Sequence, residues 1–132
     1  MSNKTKMWEL AKEFQLKSYS PYSKFKVGAC ILSENGNFYG GCNIENAAYP
    51  QGWCAECSAI SSMIMNGDKI IKEICIVGDG NELCTPCGGC RQKIREFIDI
   101  DCFIHIASKE AMLQTFTLSA LLPYSFGPNN LE

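Results

Sequence analysis

A three-layer α/β/α fold around a mixed sheet of about five strands is the expectation, and three observations predict it. Helix-period and strand-period segments alternate through the middle of the chain, an Asn-Gly turn joins the first two strand patterns, and two further short strands follow near the C-terminus. Met7, Leu10, Ala11 and Phe14 fall at helical spacing among charged residues, so residues 3–18 read as an amphipathic helix ended by Ser20-Pro21. Phe25 to Leu32 and Asn37 to Cys42 are strand-like, and Glu34-Asn35-Gly36-Asn37 makes them an antiparallel hairpin. Cys54 to Met65 suits a helix, stopped at Asn66-Gly67, where glycine tolerates a left-handed turn. A buried strand is expected at Ile70 to Val77, then a helix starting at Pro86 and running to about Phe97, since proline suits a first helical turn. Cys102 to Ala107 and Met112 to Thr117 complete the strands, and Thr117 caps a short helix before Pro123. No repeat or linker interrupts the series, which makes residues 1–132 one expected domain.

Charge narrows the function classes. Twelve Lys+Arg stand against 14 Asp+Glu, a net −2 with a sequence pI near 5.4. That balance lacks the basic excess that binding to phosphate backbones draws on, so no nucleic-acid partner is expected. The longest apolar run, Val27 to Leu32, is far shorter than a membrane span of about 18 residues, and the N-terminal residues are polar. The expectation is a soluble cytoplasmic protein without a membrane partner.

Cysteine is the outlier, with nine residues and an odd count. In a chain read as cytoplasmic, such cysteines point to metal ligands or small buried apolar groups rather than disulfides. Cys30, Cys42, Cys75 and Cys102 lie in strand patterns and read as the latter. His105 is the only histidine, so a metal site must be built chiefly from thiolates. His105 itself alternates with Ile104 and Ile106 on a strand and reads as structural.

Cys54-Ala55-Glu56-Cys57 and Pro86-Cys87-Gly88-Gly89-Cys90 place two cysteine pairs at expected helix N-termini, where free N–H groups and the helix dipole favour thiolate over thiol. Two such pairs following strand–helix loops predict zinc. If all four sulfurs bind, the site is closed and structural; if three bind, one corner stays open for water, whose pKa falls from about 15.7 to about 7 on zinc. An open site needs a proton carrier, and Glu56 is the available one, provided it lies in the first turn beside Cys54.

Cys-Ala-Glu at 54–56 with Pro-Cys-Gly-Gly-Cys-Arg-Gln at 86–92 resembles the zinc-dependent cytidine deaminases. The likeness extends from Pro21-Tyr22-Ser23 and Phe25-Lys26-Val27-Gly28-Ala29 through Gly41-Cys42-Asn43-Ile44-Glu45-Asn46-Ala47 to Leu121-Leu122-Pro123 and Phe126. The pattern is similar to the small homotetrameric branch acting on free nucleosides. By that resemblance Cys54, Cys87 and Cys90 hold Zn²⁺, hydroxide on the metal attacks C4 of cytidine or deoxycytidine, and Glu56 shuttles protons to N3 and the departing ammonia, giving uridine or deoxyuridine. Asn43 and Glu45 match the ribose-binding pair, Phe25 a residue packed against the nucleoside, and the Ala55 backbone a contact to the base. Ala47, Tyr49 and Phe126 match residues that reach the site from neighbouring subunits. Where the family commonly carries an arginine that donates to the thiolates, this chain has Cys57, so the net negative charge of zinc with three thiolates must be offset elsewhere. Helix N-termini and Arg91 are the expected sources. Two other readings share the motif: a deaminase of another cytosine-bearing compound such as blasticidin S, and a noncatalytic four-cysteine zinc module.

Overall fold

The structure, a computed structural model, describes residues 2–132. Helix α1 spans Asn3–Gln15, with Ser2 as N-cap accepting a hydrogen bond from the Thr5 N–H. It buries Met7, Ala11 and Gln15. The cap contributes about 1 kcal/mol, less than the roughly 1.5–3 kcal/mol of burying one Met or Leu side chain, so packing decides where α1 docks. The helix stops at Gln15 rather than 18 because Tyr19 is drawn into a bridge with Ile44: the Tyr19 N–H donates to the Asn43 carbonyl and the Glu45 N–H to the Tyr19 carbonyl.

Strands β1 (Gly28–Ser33) and β2 (Phe38–Cys42) form the expected hairpin, and Gly36 supplies its left-handed corner at φ 84°. β1 begins three residues later than expected. The Asn43 side chain takes the backbone groups that a ladder would use, its Nδ2 donating to the Phe25 carbonyl and its Oδ1 accepting from the Val27 N–H, both at 2.9 Å. Helix α2 covers Ala55–Met65, followed by β3 (Ile71–Val77), α3 (Gly88–Glu96), β4 (Phe103–Ala107), β5 (Met112–Thr117) and the short α4 (Leu118–Leu121), capped by Thr117 as expected.

The five strands order β2-β1-β3-β4-β5, with β3 and β4 parallel and all other neighbours antiparallel. Alternate residues of the sheet face two cores. Ala29, Ile31, Ile74, Ile76, Ile104 and Ile106 pack with Ala59, Ile60 and Met63 of α2 and Ile94 of α3. Cys30, Leu32, Cys75, Val77 and Ala107 pack with Met7 and Ala11 of α1 on the other face. The expected three-layer α/β/α arrangement with a mixed sheet is therefore present. All nine cysteines are free thiols; Cys30, Cys75 and Cys102 are buried, whereas Cys42 is only partly so. His105 is satisfied on both ring nitrogens, by Thr115 at 2.8 Å and Glu73 at 2.7 Å, as its structural reading requires.

Asp68, just after α2, ties that helix to the β1–β2 hairpin. Its carboxylate accepts from Ser33 Oγ at 2.7 Å, Asn35 Nδ2 at 2.8 Å, Asn37 Nδ2 at 2.9 Å and Tyr39 OH at 2.8 Å. These donors, the Asn37 amide foremost, hold its pKa well below the usual carboxylate range. A carboxylate depressed in the folded state adds stability above its unfolded pKa of about 3.9 and loses it as pH falls toward the folded value. Asp68→Asn is expected to lower the melting temperature at neutral pH and to flatten its decline in acid. Thermal denaturation from neutral to strongly acidic pH checks this, and an unchanged acid limb would contradict it.

Candidate active site

Cys54 and Cys87 are the N-cap residues of α2 and α3, and neither side chain caps its helix. The Cys54 carbonyl accepts from the Ser58 N–H and the Cys87 carbonyl from the Arg91 N–H, so both sulfurs stand beside first-turn amides that remain free. Helix α3 starts at Gly88, leaving Pro86 outside the expected first turn, because Cys87 is extended at ψ 167°. Cys90 lies in the first turn of α3 and is buried. The Sγ atoms of Cys54, Cys87 and Cys90 all lie within 4.8 Å of one another. Zinc–thiolate bonds of about 2.3 Å in a tetrahedron require sulfurs roughly 3.8 Å apart, so this donor set fits zinc. Cys54 already has thiolate character, its pKa pulled down by the Cys90 thiol donating to its sulfur, whereas Cys90 holds its proton and must release it for a metal to bind.

Glu56 is the second residue of α2 and only 5% exposed. Its carboxylate accepts from its own backbone N–H and faces the Cys90 thiol. Burial pushes its pKa up, against the weaker pull of those donors and of Lys93. Glu56 lies in the first turn of α2 as expected, whereas Cys54 is the N-cap just before it rather than a first-turn residue.

Cys57 falls outside the three-sulfur group. It is buried, its pKa is raised by desolvation, and the nearby Lys93 ammonium pulls the other way. Arg91 does not reach the thiolates. Its Nε donates to the Pro86 carbonyl at 2.7 Å, Nη1 to the Leu121 carbonyl at 2.7 Å and Nη2 to Thr85 Oγ1 at 3.2 Å, clamping the loop before α3 to α4. The expectation that Arg91 offsets the thiolate charge is corrected by this geometry: its donors are spent on oxygens.

Asn43, Glu45 and Phe25 are brought together by the 20–27 loop. Glu45 Oε1 accepts from the Tyr22 N–H at 2.9 Å and the Ser23 N–H at 3.1 Å, and Oε2 accepts from the Ser23 hydroxyl. The Ser23 hydroxyl is the main reason its pKa is lowered. Glu45, Tyr22, Ser23, Tyr49 and Gly52 line an open cavity of about 360 Å³, with Tyr22 and Tyr49 edge-to-face at 6.1 Å. Phe25 lines a separate hollow with the 79–84 turn. Ala55 is buried beside Glu56, Ala47 and Tyr49 are exposed, and Phe126 is exposed with its carbonyl accepting from Gln92 of α3 at 3.0 Å. Sequence reasoning missed Lys93 and Trp53, although Lys93 follows Cys90 by three residues, a spacing that shares one helix face.

The chain matches the family described as the cytidine and deoxycytidylate deaminase zinc-binding region over residues 1–106. It is 37% identical over 122 residues to a cytidine deaminase of Sporosarcina psychrophila, covering 92% of this chain and 90% of that protein. The crystal structure of cytidine deaminase from Burkholderia pseudomallei superposes with a TM-score of 0.88 at 33% identity, covering 96% of this chain and 100% of that one. That of Mycobacterium tuberculosis gives 0.84 at 29% identity, over 96% and 99%. With a three-thiol cluster at two helix N-termini and a buried carboxyl beside it, the chain belongs to the zinc-dependent cytidine and deoxycytidylate deaminase family.

Proposed function

We propose that this chain hydrolyses cytidine and deoxycytidine to uridine and deoxyuridine, as one catalytic unit over residues 1–132. The observation that carries the reading is the buried Glu56 carboxyl set against the Cys54, Cys87 and Cys90 sulfurs. Those three residues would hold the metal. Zinc, when bound, acidifies water enough to make a nucleophile at neutral pH. Glu56 does the proton work: it takes a proton from the attacking water and delivers it to pyrimidine N3, then takes the proton of the C4 hydroxyl and delivers it to the amino group, which leaves as ammonia while the C4 carbonyl forms. Its desolvated position raises its pKa toward the range in which one group both accepts and returns protons.

Asn43 and Glu45 are the proposed ribose contacts. Glu45 stays ionised through its Ser23 bonds and so offers acceptor capacity to sugar hydroxyls, while Asn43, whose Oδ1 accepts from Ser18 and Val27, keeps one Nδ2–H to donate. The Ala55 backbone would meet the base, and Phe25 would pack against the nucleoside. Ala47, Tyr49 and Phe126 are proposed to complete the pocket of a neighbouring copy in a homotetramer; the exposure of Tyr49 and Phe126, 75% and 56%, supports that role. No helix among the described residues is long and apolar enough to cross a membrane. Nine free thiols and a three-sulfur site suit the reducing cytoplasm, where we place the protein.

An ultraviolet deamination assay tests the reading. Cytidine and deoxycytidine should be turned over, activity should vanish with a chelator and return with zinc, and bare cytosine should be a poor substrate because ribose contacts are lost. Turnover of blasticidin S in preference to cytidine, or no deamination by a zinc-loaded chain, would overturn it.

A further inference from the structure

Zinc with three thiolates carries one net negative formal charge, and a buried charge of that kind is costly without a counter-charge. Arg91 is spent on the Pro86 and Leu121 carbonyls and on Thr85. The cation placed at the cluster is Lys93. It follows Cys90 by three residues on α3, which puts both side chains on one helix face. Its Nζ lies 5.3 Å from the centre of the Trp53 ring, the residue immediately before Cys54. Across the junction with α2 it faces Cys57, itself three residues beyond Cys54.

We propose that Lys93, held between the face of the Trp53 ring and the Cys57 sulfur, is the positioning residue that offsets the charge of the three-thiolate centre. This rests on the reading of Cys54, Cys87 and Cys90 as metal ligands. Lys93 stands over the ring of the residue that directly precedes Cys54 and rises from the same helix face as Cys90, so its ammonium lies between the two cysteine motifs. Ring and thiol hold the amine where water alone would leave it mobile, since the electron-rich face of an indole attracts a cation. Cys57 thereby has a role other than ligation: it is the small polar group that lets a lysine from α3 stand where an arginine from α2 would otherwise be needed.

The test uses the full chain as Lys93→Met, Lys93→Arg and the double variant Cys57→Arg with Lys93→Met. Methionine keeps the apolar stem and removes the charge. Zinc affinity is read by chelator competition, and the cobalt(II)-substituted chain is read by its sulfur-to-metal charge-transfer band. Lys93→Met is expected to weaken zinc binding by about 10–100-fold, the usual cost of losing a group that supports metal ligands. Without the cation the thiolate electrons are easier to move to the metal, so the cobalt band should shift to longer wavelength. For cytidine, kcat should fall while KM stays within about twofold. Lys93→Arg and the double variant should each restore affinity, band position and kcat. Unchanged affinity and band in Lys93→Met would overturn the proposal, and so would losses that neither arginine rescues, because those would trace to packing. If the unaltered chain fails to bind cobalt(II) through three sulfurs, the ligand reading itself falls, a result separable from failure at Lys93.

Discussion

Glu56→Gln is expected to lower kcat for cytidine by about 10²–10⁴-fold, the usual contribution of a positioned proton carrier, while zinc content stays at the level of the unaltered chain. Glutamine preserves the volume of the side chain, so the tight seat at the start of α2, 5% exposed, is not disturbed. What it removes is the ability to accept a proton from water and release it to nitrogen. The same change deletes a carboxyl that burial already disfavours in its charged form. The variant should therefore melt at or above the temperature of the parent, the pattern expected where a group is kept for activity at the expense of stability. Steady-state rates, metal analysis and a melting curve read all three effects. Turnover within tenfold of the parent would remove Glu56 from the chemistry.

Gly41→Val should damage the same site from the opposite side of α2. Gly41 lies in β2 directly under the helix, and a Cβ there would collide with the Ala55 carbonyl and the Ala59 N–H, both backbone groups with no freedom to rotate away. Overpacking of this kind costs about 1–3 kcal/mol even when the structure can shift. Here the shift itself is harmful, because moving α2 off β2 carries Cys54 and Glu56 away from Cys87 and Cys90. Misplacement of a reacting group by about 1 Å can cost on the order of 10²-fold in rate. The expected result is a lower melting temperature together with weaker zinc retention and a large loss of kcat. A variant with parental melting temperature and turnover would show that the helix has room to spare.

Local chemistry made much of this legible in the sequence. The Asn35-Gly36 corner needs a left-handed residue and has one. The cysteine and glutamate positions follow from helix starts, and Thr117 and Gly67 mark a helix start and stop that the structure keeps. What stayed hidden depends on partners remote along the chain. Arg91 reaches Leu121, 30 residues away, and Asp68 gathers donors from 29 to 35 residues upstream. The late start of β1 reflects a side chain, Asn43, competing with the sheet for backbone groups, which strand periodicity does not register. The Lys93–Trp53 pairing exists only once α2 and α3 lie side by side.

The placement of β3 between the two cysteine motifs has a consequence for how the molecule is assembled. Cys54 is made before β3 and Cys87 and Cys90 after it, and the helices bearing them converge only when β3 has zipped to β1 on one edge and β4 on the other. A nascent chain that stalls midway owns one of the three sulfurs. Metal capture at full strength is thus a late checkpoint, withheld from misregistered or partly synthesised molecules and granted to those whose sheet is finished.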